Sequence, residues 1–184
     1  MDTGLVIALL GFVLLARPLL IYNELVSKRN KVARAFAGID AQLKLRWDLI
    51  PNLVSTVKGF AVHERDLLTA LVNARNSAAQ SPARSSNRAN SEAELTQLIP
   101  QTLLLTEKYP KLRSSSHFLN LQRNLTEVES QIAAARRSYD AAVLTYNDSV
   151  DMFPSSLVAK AFDFERQAHF DLTTTERRSH AVTL

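Results

Sequence analysis

The sequence predicts an all-α protein, with an amino-terminal transmembrane helix continuing into an antiparallel four-helix, up-and-down bundle of long helices. Three observations carry this expectation. Gly is scarce, at 4 in 184 residues, and Pro numbers 6; the many turns of an all-β fold would use more of both. Ala, Leu, Arg, Glu and Gln, all good helix formers, dominate the composition. Apolar residues also recur every three or four positions over most of the chain.

The first element is the expected membrane anchor. Gly4 to Tyr22 reads GLVIALLGFVLLARPLLIY, and twelve of these nineteen residues are Leu, Ile, Val or Phe. At about −0.3 to −0.6 kcal/mol each they favour insertion by roughly 5 kcal/mol, against at most about 3 kcal/mol for Arg17. The Arg17 stem is long enough to carry its charge to the headgroups. Nineteen residues at helical rise span roughly 28 Å, about one hydrocarbon core. A cleaved signal peptide fits less well. The MDTG start carries no basic residue, and LLARP puts Leu14 where cleavage needs a small side chain. Pro18 marks a bend at the exit of the span. From Asn23 to Asp48, Lys28, Arg29, Lys31, Arg34, Lys44 and Arg46 stand against Glu24, Asp40 and Asp48, while only Asp2 precedes the span. The positive-inside rule then predicts an external amino terminus and a cytoplasmic bundle. Arg17, Lys28, Arg29, Lys31 and Arg34 are the expected membrane-surface contacts.

Four helices follow. The stripe Val32, Phe36, Ile39, Leu43, Arg46/Trp47, Ile50 marks the first, in register with the anchor. Asp48 has the chemistry of an N-cap, and Pro51 would then fall in a first helical turn, so a tight turn is expected at Trp47–Asp48. A second helix carries Leu53/Val54, Val57, Ala61, Leu68, Leu71 and Arg75. NSAAQSPARSSNRANS, Asn76 to Ser91, reads as a surface loop. Ser91 and Glu94 have capping-box spacing, so the third helix is expected to start at Glu92, to kink at Pro100 and to stop before Pro110. Ser114 to Ser116 offers a cap for the last helix. That helix shows the clearest period, with Phe118, Leu121, Leu125, Val128, Ile132, Ala135, Tyr139, Ala142 and Tyr146 in steps of three and four, closing at Phe153–Pro154. Residues 1–22 are thus tail and anchor, 23–170 the bundle, and 171–184 a flexible tail.

The strings YNELVSKRNKV, IDAQLKLRWDLIPNLVSTVKGFAVHE, YPKL, FLNLQRNLTEVESQIAAARRSYDAAVLTYN and FPSSLVAKAFDFE resemble the LemA family, from about Leu5 to about Phe170. Two positions depart from its pattern. Asp140 stands where Asn is usual after Tyr139, and Leu45 where a second basic residue is common. The resemblance implies a single amino-terminal anchor, an antiparallel helical bundle on the cytoplasmic side of a bacterial inner membrane, and no established enzymatic activity.

The composition excludes several chemistries. With no Cys there is no disulfide scaffold, thiolate site or Cys nucleophile. HERDL, His63 to Leu67, starts like a zincin helix but has Leu67 where the second His belongs; His117, His169 and His180 have no partner at ligand spacing. No Gly-rich phosphate loop or Gly-x-Ser-x-Gly elbow occurs. The net charge of +4 is spread among acids, unlike a nucleic-acid-binding stripe. No catalytic, metal or cofactor residue is therefore expected. The remaining polar set, Arg46, Asp48, Asn52, Arg75, Glu129 and Arg136, lies beside the apolar seams. Buried charges of this kind pair across helices to avoid a cost of several kcal/mol, so a structural network is the main expectation and a ligand or partner site the alternative. The function expected is a non-enzymatic interaction or scaffold module at the membrane, with lipids and another membrane protein or a second copy as partners. A lipid-organising or membrane-curving protein is the alternative reading, and an enzyme of unknown type the remaining one.

Overall fold

A computed structural model describes residues 3–170, with side chains from Arg17 onward. Seven helices occur among them: α1 Thr3–Lys58, α2 Arg65–Gln80, α3 Ser86–Leu103, α4 Leu105–Lys108, α5 Pro110–Arg113, α6 Ser116–Asp151 and α7 Ser155–Ala161. No strand occurs in the described residues. They form two compact units, one of 3–38 with Ala135–Phe170 and one of Ile39–Ala134.

The second unit holds the larger apolar core. Ile50, Leu53 and Val57 of α1 pack with Leu68, Leu71, Ala74 and Ala78 of α2, Leu95 and Ile99 of α3, and Phe118 and Leu125 of α6. Each fully buried Leu, Ile or Phe contributes about 1.5–3 kcal/mol over leaving it in water. Helix directions follow from the pairings. Asp40 meets Arg88 and Arg46 meets Glu92 in the same order, so α1 and α3 run parallel. Between them α2 runs the opposite way, with Arg75 on the Trp47 carbonyl and Ser91 on Ser77.

α1 corrects the expected turn at Trp47–Asp48: it is one helix through Pro51 to Lys58. Asp48 is exposed and caps nothing. The reason is the stripe Leu43, Arg46, Ile50, Leu53, Val57, all buried and in unbroken steps of three and four across the proline. A break at Asp48 would take Ile50, Leu53 and Val57 out of the core. Pro51 has no N–H for the carbonyl four residues back, which is that of Trp47. Arg75 supplies the missing donor, its Nε lying 3.2 Å from that oxygen. This is why an arginine stands in the apolar register of α2.

The expected loop from Asn76 to Ser91 is also corrected. α2 continues to Gln80 and α3 starts at Ser86, leaving only five residues between them. The cap is Ser85, whose side chain accepts from the Arg88 N–H, so Ser91 and Glu92 lie within the helix rather than at its start. Pro100 is inside α3, which ends at Leu103 rather than before Pro110. Ser115 caps α6 through the Phe118 N–H at 3.4 Å, in the Ser run expected to do so.

In the first unit α1 and α6 are antiparallel, with Lys28 on Ser149 and the Phe36 ring against Tyr139. Leu25, Val32, Ala142, Val143 and Tyr146 are buried. After α7, Asp163 adopts a left-handed conformation (φ 53°) and the Phe164 N–H bonds the Ala159 carbonyl, a Schellman-type close. The chain then returns along α6 as an extended strap, residues 164–170. Its backbone groups are met by side chains: Tyr146 on the Glu165 carbonyl, Asn147 doubly on Gln167, Tyr139 on the Ala168 carbonyl, and Asp140 accepting from the Phe170 N–H.

Among the described residues, no helix is long and apolar enough to cross a membrane. The side chains from Leu5 to Ala16, most of the expected anchor, lie outside the described residues, as does the expected flexible tail 171–184.

Candidate functional site

The polar centre of the second unit is built around Arg46. Helical spacing puts it on the buried stripe of α1, and its side chain is 0% exposed. Two carboxylates from other helices meet it. Its Nη2 pairs with Oε2 of Glu92 on α3, and its Nη1 donates to Oε1 of Glu129 on α6 at 2.9 Å. Thr96 Oγ1 also accepts from Nη1 at 3.4 Å. The second oxygen of Glu92 accepts from Trp47 Nε1 at 2.8 Å. Around this core, Arg88 of α3 pairs with Asp40 of α1 at 2.6 Å and lies over the Trp47 ring at 5.1 Å. Arg75 joins through the Trp47 carbonyl and the Asn76 side chain.

Three arginines and three carboxylates thus lie together, a balanced set. Taking such ions out of water costs several kcal/mol each unless they are paired and hydrogen-bonded. The pairing also fixes register, because a one-residue slip of α1 against α3 would separate both Arg46 from Glu92 and Arg88 from Asp40. Both oxygens of Glu92 are committed, to Arg46 and to Trp47. The arrangement joins α1, α2, α3 and α6, with each Glu92 oxygen accepting one hydrogen bond within it.

The residues singled out from sequence separate into groups. Arg46 and Glu129 meet directly, and Arg75 lies one residue away through Trp47. Asp48 and Asn52 are exposed and stand outside the network; the Asn52 carbonyl accepts from Ser55 and Thr56. Arg136 belongs to the first unit, where its guanidinium lies 4.9 Å from the centre of the Phe170 ring. Asp40, Trp47, Arg88 and Glu92 were not anticipated in this role. A signal for two of them existed: Arg88, Glu92, Leu95, Ile99 and Thr102 are all buried in steps of four and three, a stripe that starts before the Ser91 capping pattern.

Among the basic residues assigned to lipid contact, Arg17, Arg29, Lys31 and Arg34 are exposed. Lys28 instead bonds Ser149 at 2.6 Å and Glu24 at 2.5 Å, and Arg29 lies over the Phe164 ring at 5.2 Å. At the start of α2, Glu64 accepts from Lys108 at 2.6 Å and from Tyr109 at 3.1 Å. The Lys108 bond, then the Tyr109 bond, hold its carboxyl below the ordinary value of 4.5. His63, beside it, is exposed. No group of three or more His, Asp or Glu among the described residues is placed to hold a metal ion.

The family model described as "LemA family" matches residues 35–183. A curated relative, "Protein LemA" of Metamycoplasma hominis, is 22% identical over 155 residues, 84% of this chain and 71% of its own length. "Magnetosome protein MamQ 2" of Paramagnetospirillum magneticum is 31% identical over 68 residues, which are 37% of this chain and 25% of that protein. "Magnetosome protein MamQ" of Magnetospirillum gryphiswaldense is 26% identical over the same length and shares.

Proposed function

This chain belongs to the LemA family, and from that premise we propose that it is a membrane-anchored helical scaffold rather than an enzyme. One observation carries the reading. The charges at the centre of the second unit pair with one another, Arg46 with Glu92 and Glu129, and of the Arg46 guanidinium nitrogens only the buried Nε lacks a hydrogen-bond partner among the described residues. They serve the fold and leave interaction to the surfaces. Anchoring is supported by the continuity of α1, in which the apolar sequence Gly4–Tyr22 and the first bundle helix are one element from Thr3 to Lys58. The basic excess after Tyr22 supports an external amino terminus and a cytoplasmic bundle in a bacterial inner membrane. The partners are lipid and either another membrane protein or a second copy. The magnetosome relatives share only a quarter of their length with this chain, so no activity is carried over from them.

The test is extraction and protection. The full chain is expected to stay in the membrane pellet after alkaline carbonate washing. In intact spheroplasts the bundle is expected to resist added protease. Release by carbonate would remove the anchor, and digestion from outside would reverse the topology. A second reading, lipid organisation, is favoured by the exposed cations Arg17, Lys31 and Arg34. Deformation of anionic vesicles by the purified protein, abolished when these three are neutralised, would select it over the scaffold.

A further inference from the structure

Twelve large apolar side chains are markedly exposed among the described residues, and six of them lie at one end of the first unit: Leu19, Leu20, Met152, Phe153, Leu157 and Phe162. Phe153 is 81% exposed and Leu157 62%. They come from three pieces of chain that local geometry brings together. Lys28–Ser149 and Phe36–Tyr139 fix the antiparallel register of α1 and α6. At helical rise, the end of α6 at Asp151 therefore reaches the level of the first turns after Tyr22. α7 follows, buries Val158 and Ala159, and turns Leu157 outward. Phe162 then lies against the Tyr22 ring, with centroids 4.9 Å apart, and Phe164 meets Tyr22 edge-on at 5.6 Å.

We propose that the α6–α7 corner, with Met152, Phe153 and Leu157, is a second membrane contact that lies in the near surface of the same bilayer. This rests on the anchor reading above. If residues 4–22 cross the hydrocarbon core, its near boundary falls at about Leu19–Tyr22, because nineteen helical residues fill roughly one core thickness. That is the level at which the Phe162 ring meets Tyr22, tilted by 59°. Any other occupant of the patch would share this end of the unit with lipid. The side chains also suit the site. Tyr22 at this level fits the aromatic belt of a membrane interface, and Phe and Leu are the side chains that an interfacial apolar face sinks into the headgroup region. Six large apolar side chains exposed at one end of a unit are uncommon on a surface that meets only water.

The chain has no cysteine, so single-cysteine variants of the full-length protein can be labelled cleanly. Phe153→Cys and Leu157→Cys carry a nitroxide at the corner, Val13→Cys one in the span, and Ser130→Cys one on the exposed face of α6. Each is reconstituted into phosphatidylcholine–phosphatidylglycerol vesicles, and collisions with oxygen and with a water-soluble nickel chelate give the depth of the label. The labels at 153 and 157 are expected about 5–10 Å inside the headgroup–acyl boundary, the Val13 label deeper, and the Ser130 label in water. If 153 and 157 are as open to the chelate as 130 while the Val13 label is buried in lipid, the docking proposal is overturned and the anchor stands. Chelate access at all four sites overturns both. Shielding of 153 and 157 from chelate and oxygen alike, with dipolar broadening between labels, assigns the patch to a second copy and also overturns the proposal.

Discussion

Removing the Glu92 carboxylate is expected to destabilise the bundle more than removing Glu129. In Glu92→Ala, the fully buried Arg46 loses its Nη2 partner and Trp47 Nε1 loses its acceptor. Breaking a buried ion pair from one side costs about 3–5 kcal/mol. Arg46 keeps Glu129 and Thr96, which puts the ionic part at the lower end, about 3 kcal/mol. The stranded indole N–H adds about 1 kcal/mol. For a chain of this length each kcal/mol lowers Tm by about 2–4 °C, so the total of about 4 corresponds to a fall of about 8–16 °C. Glu129 is different. Its side chain is 34% exposed, and Arg46 retains the buried partner, so Glu129→Ala is worth about 1 kcal/mol after solvent screening. Circular dichroism melts of the full chain in detergent give both values. Arg46→Met combined with Glu92→Gln should recover at least half of the Glu92→Ala loss, because the neutral pair leaves no fully buried ion and Glu129, which loses Arg46, is 34% exposed and keeps access to water. A larger shift for Glu129→Ala than for Glu92→Ala, or no recovery in the double variant, would refute the account of Arg46 as the ion that Glu92 holds.

Arg75→Met should cost about 1–3 kcal/mol by leaving the Trp47 carbonyl unbonded, and Pro51→Ala in that background should restore stability by returning an N–H to it; additive melts for the two changes would break the link. Asn147→Leu removes both bonds to the Gln167 backbone, so amide exchange at residues 165–170 should accelerate at least tenfold while the Leu71 and Leu95 amides stay protected. The depressed Glu64 carboxyl contributes stability that is present above its ordinary value of 4.5 and lost as pH falls through its lower folded value. The stability difference between the natural chain and Glu64→Gln should therefore shrink on acidification below about that value, and a difference that grows instead would put the sign wrong.

The long elements were legible because burial writes its period into the sequence. The seam Phe118 to Tyr146 is buried along nearly its whole length, and the α1 stripe was visible up to Ile50. Pro51 concealed its continuation, because the donor that repairs the missing bond stands on another helix, 28 residues along the chain. Half of the polar centre was legible for the same reason: Arg46 interrupts an apolar stripe, and Glu129 adjoins one. Glu92 was hidden by the Ser91–Glu94 spacing, a local pattern that agrees with a helix start but loses to the cap at Ser85 and to the pull of Arg46. The strap left no signal at all. It has no period, and the side chains that bond its backbone lie 19 to 30 residues earlier.

Connectivity also sets an order of events during synthesis. The described second unit is one continuous stretch, Ile39–Ala134, while the first joins the chain's early residues to its late ones, with Lys28 and Ser149 separated by 121 positions. The α1 residues Leu25 and Val32 leave the ribosome early, but the α6 residues that cover them follow about a hundred residues later. At about 5–20 residues per second that is a delay of roughly 5–20 s. Within it the second unit has all its own strands of contact in hand, including the Arg46–Glu92–Glu129 centre. Pulse-labelled exchange on nascent chains should find Leu71 and Leu95 protected before Leu25. For those seconds the newborn protein carries an open apolar seam on α1, and a chaperone or a second nascent copy has that interval in which to bind it.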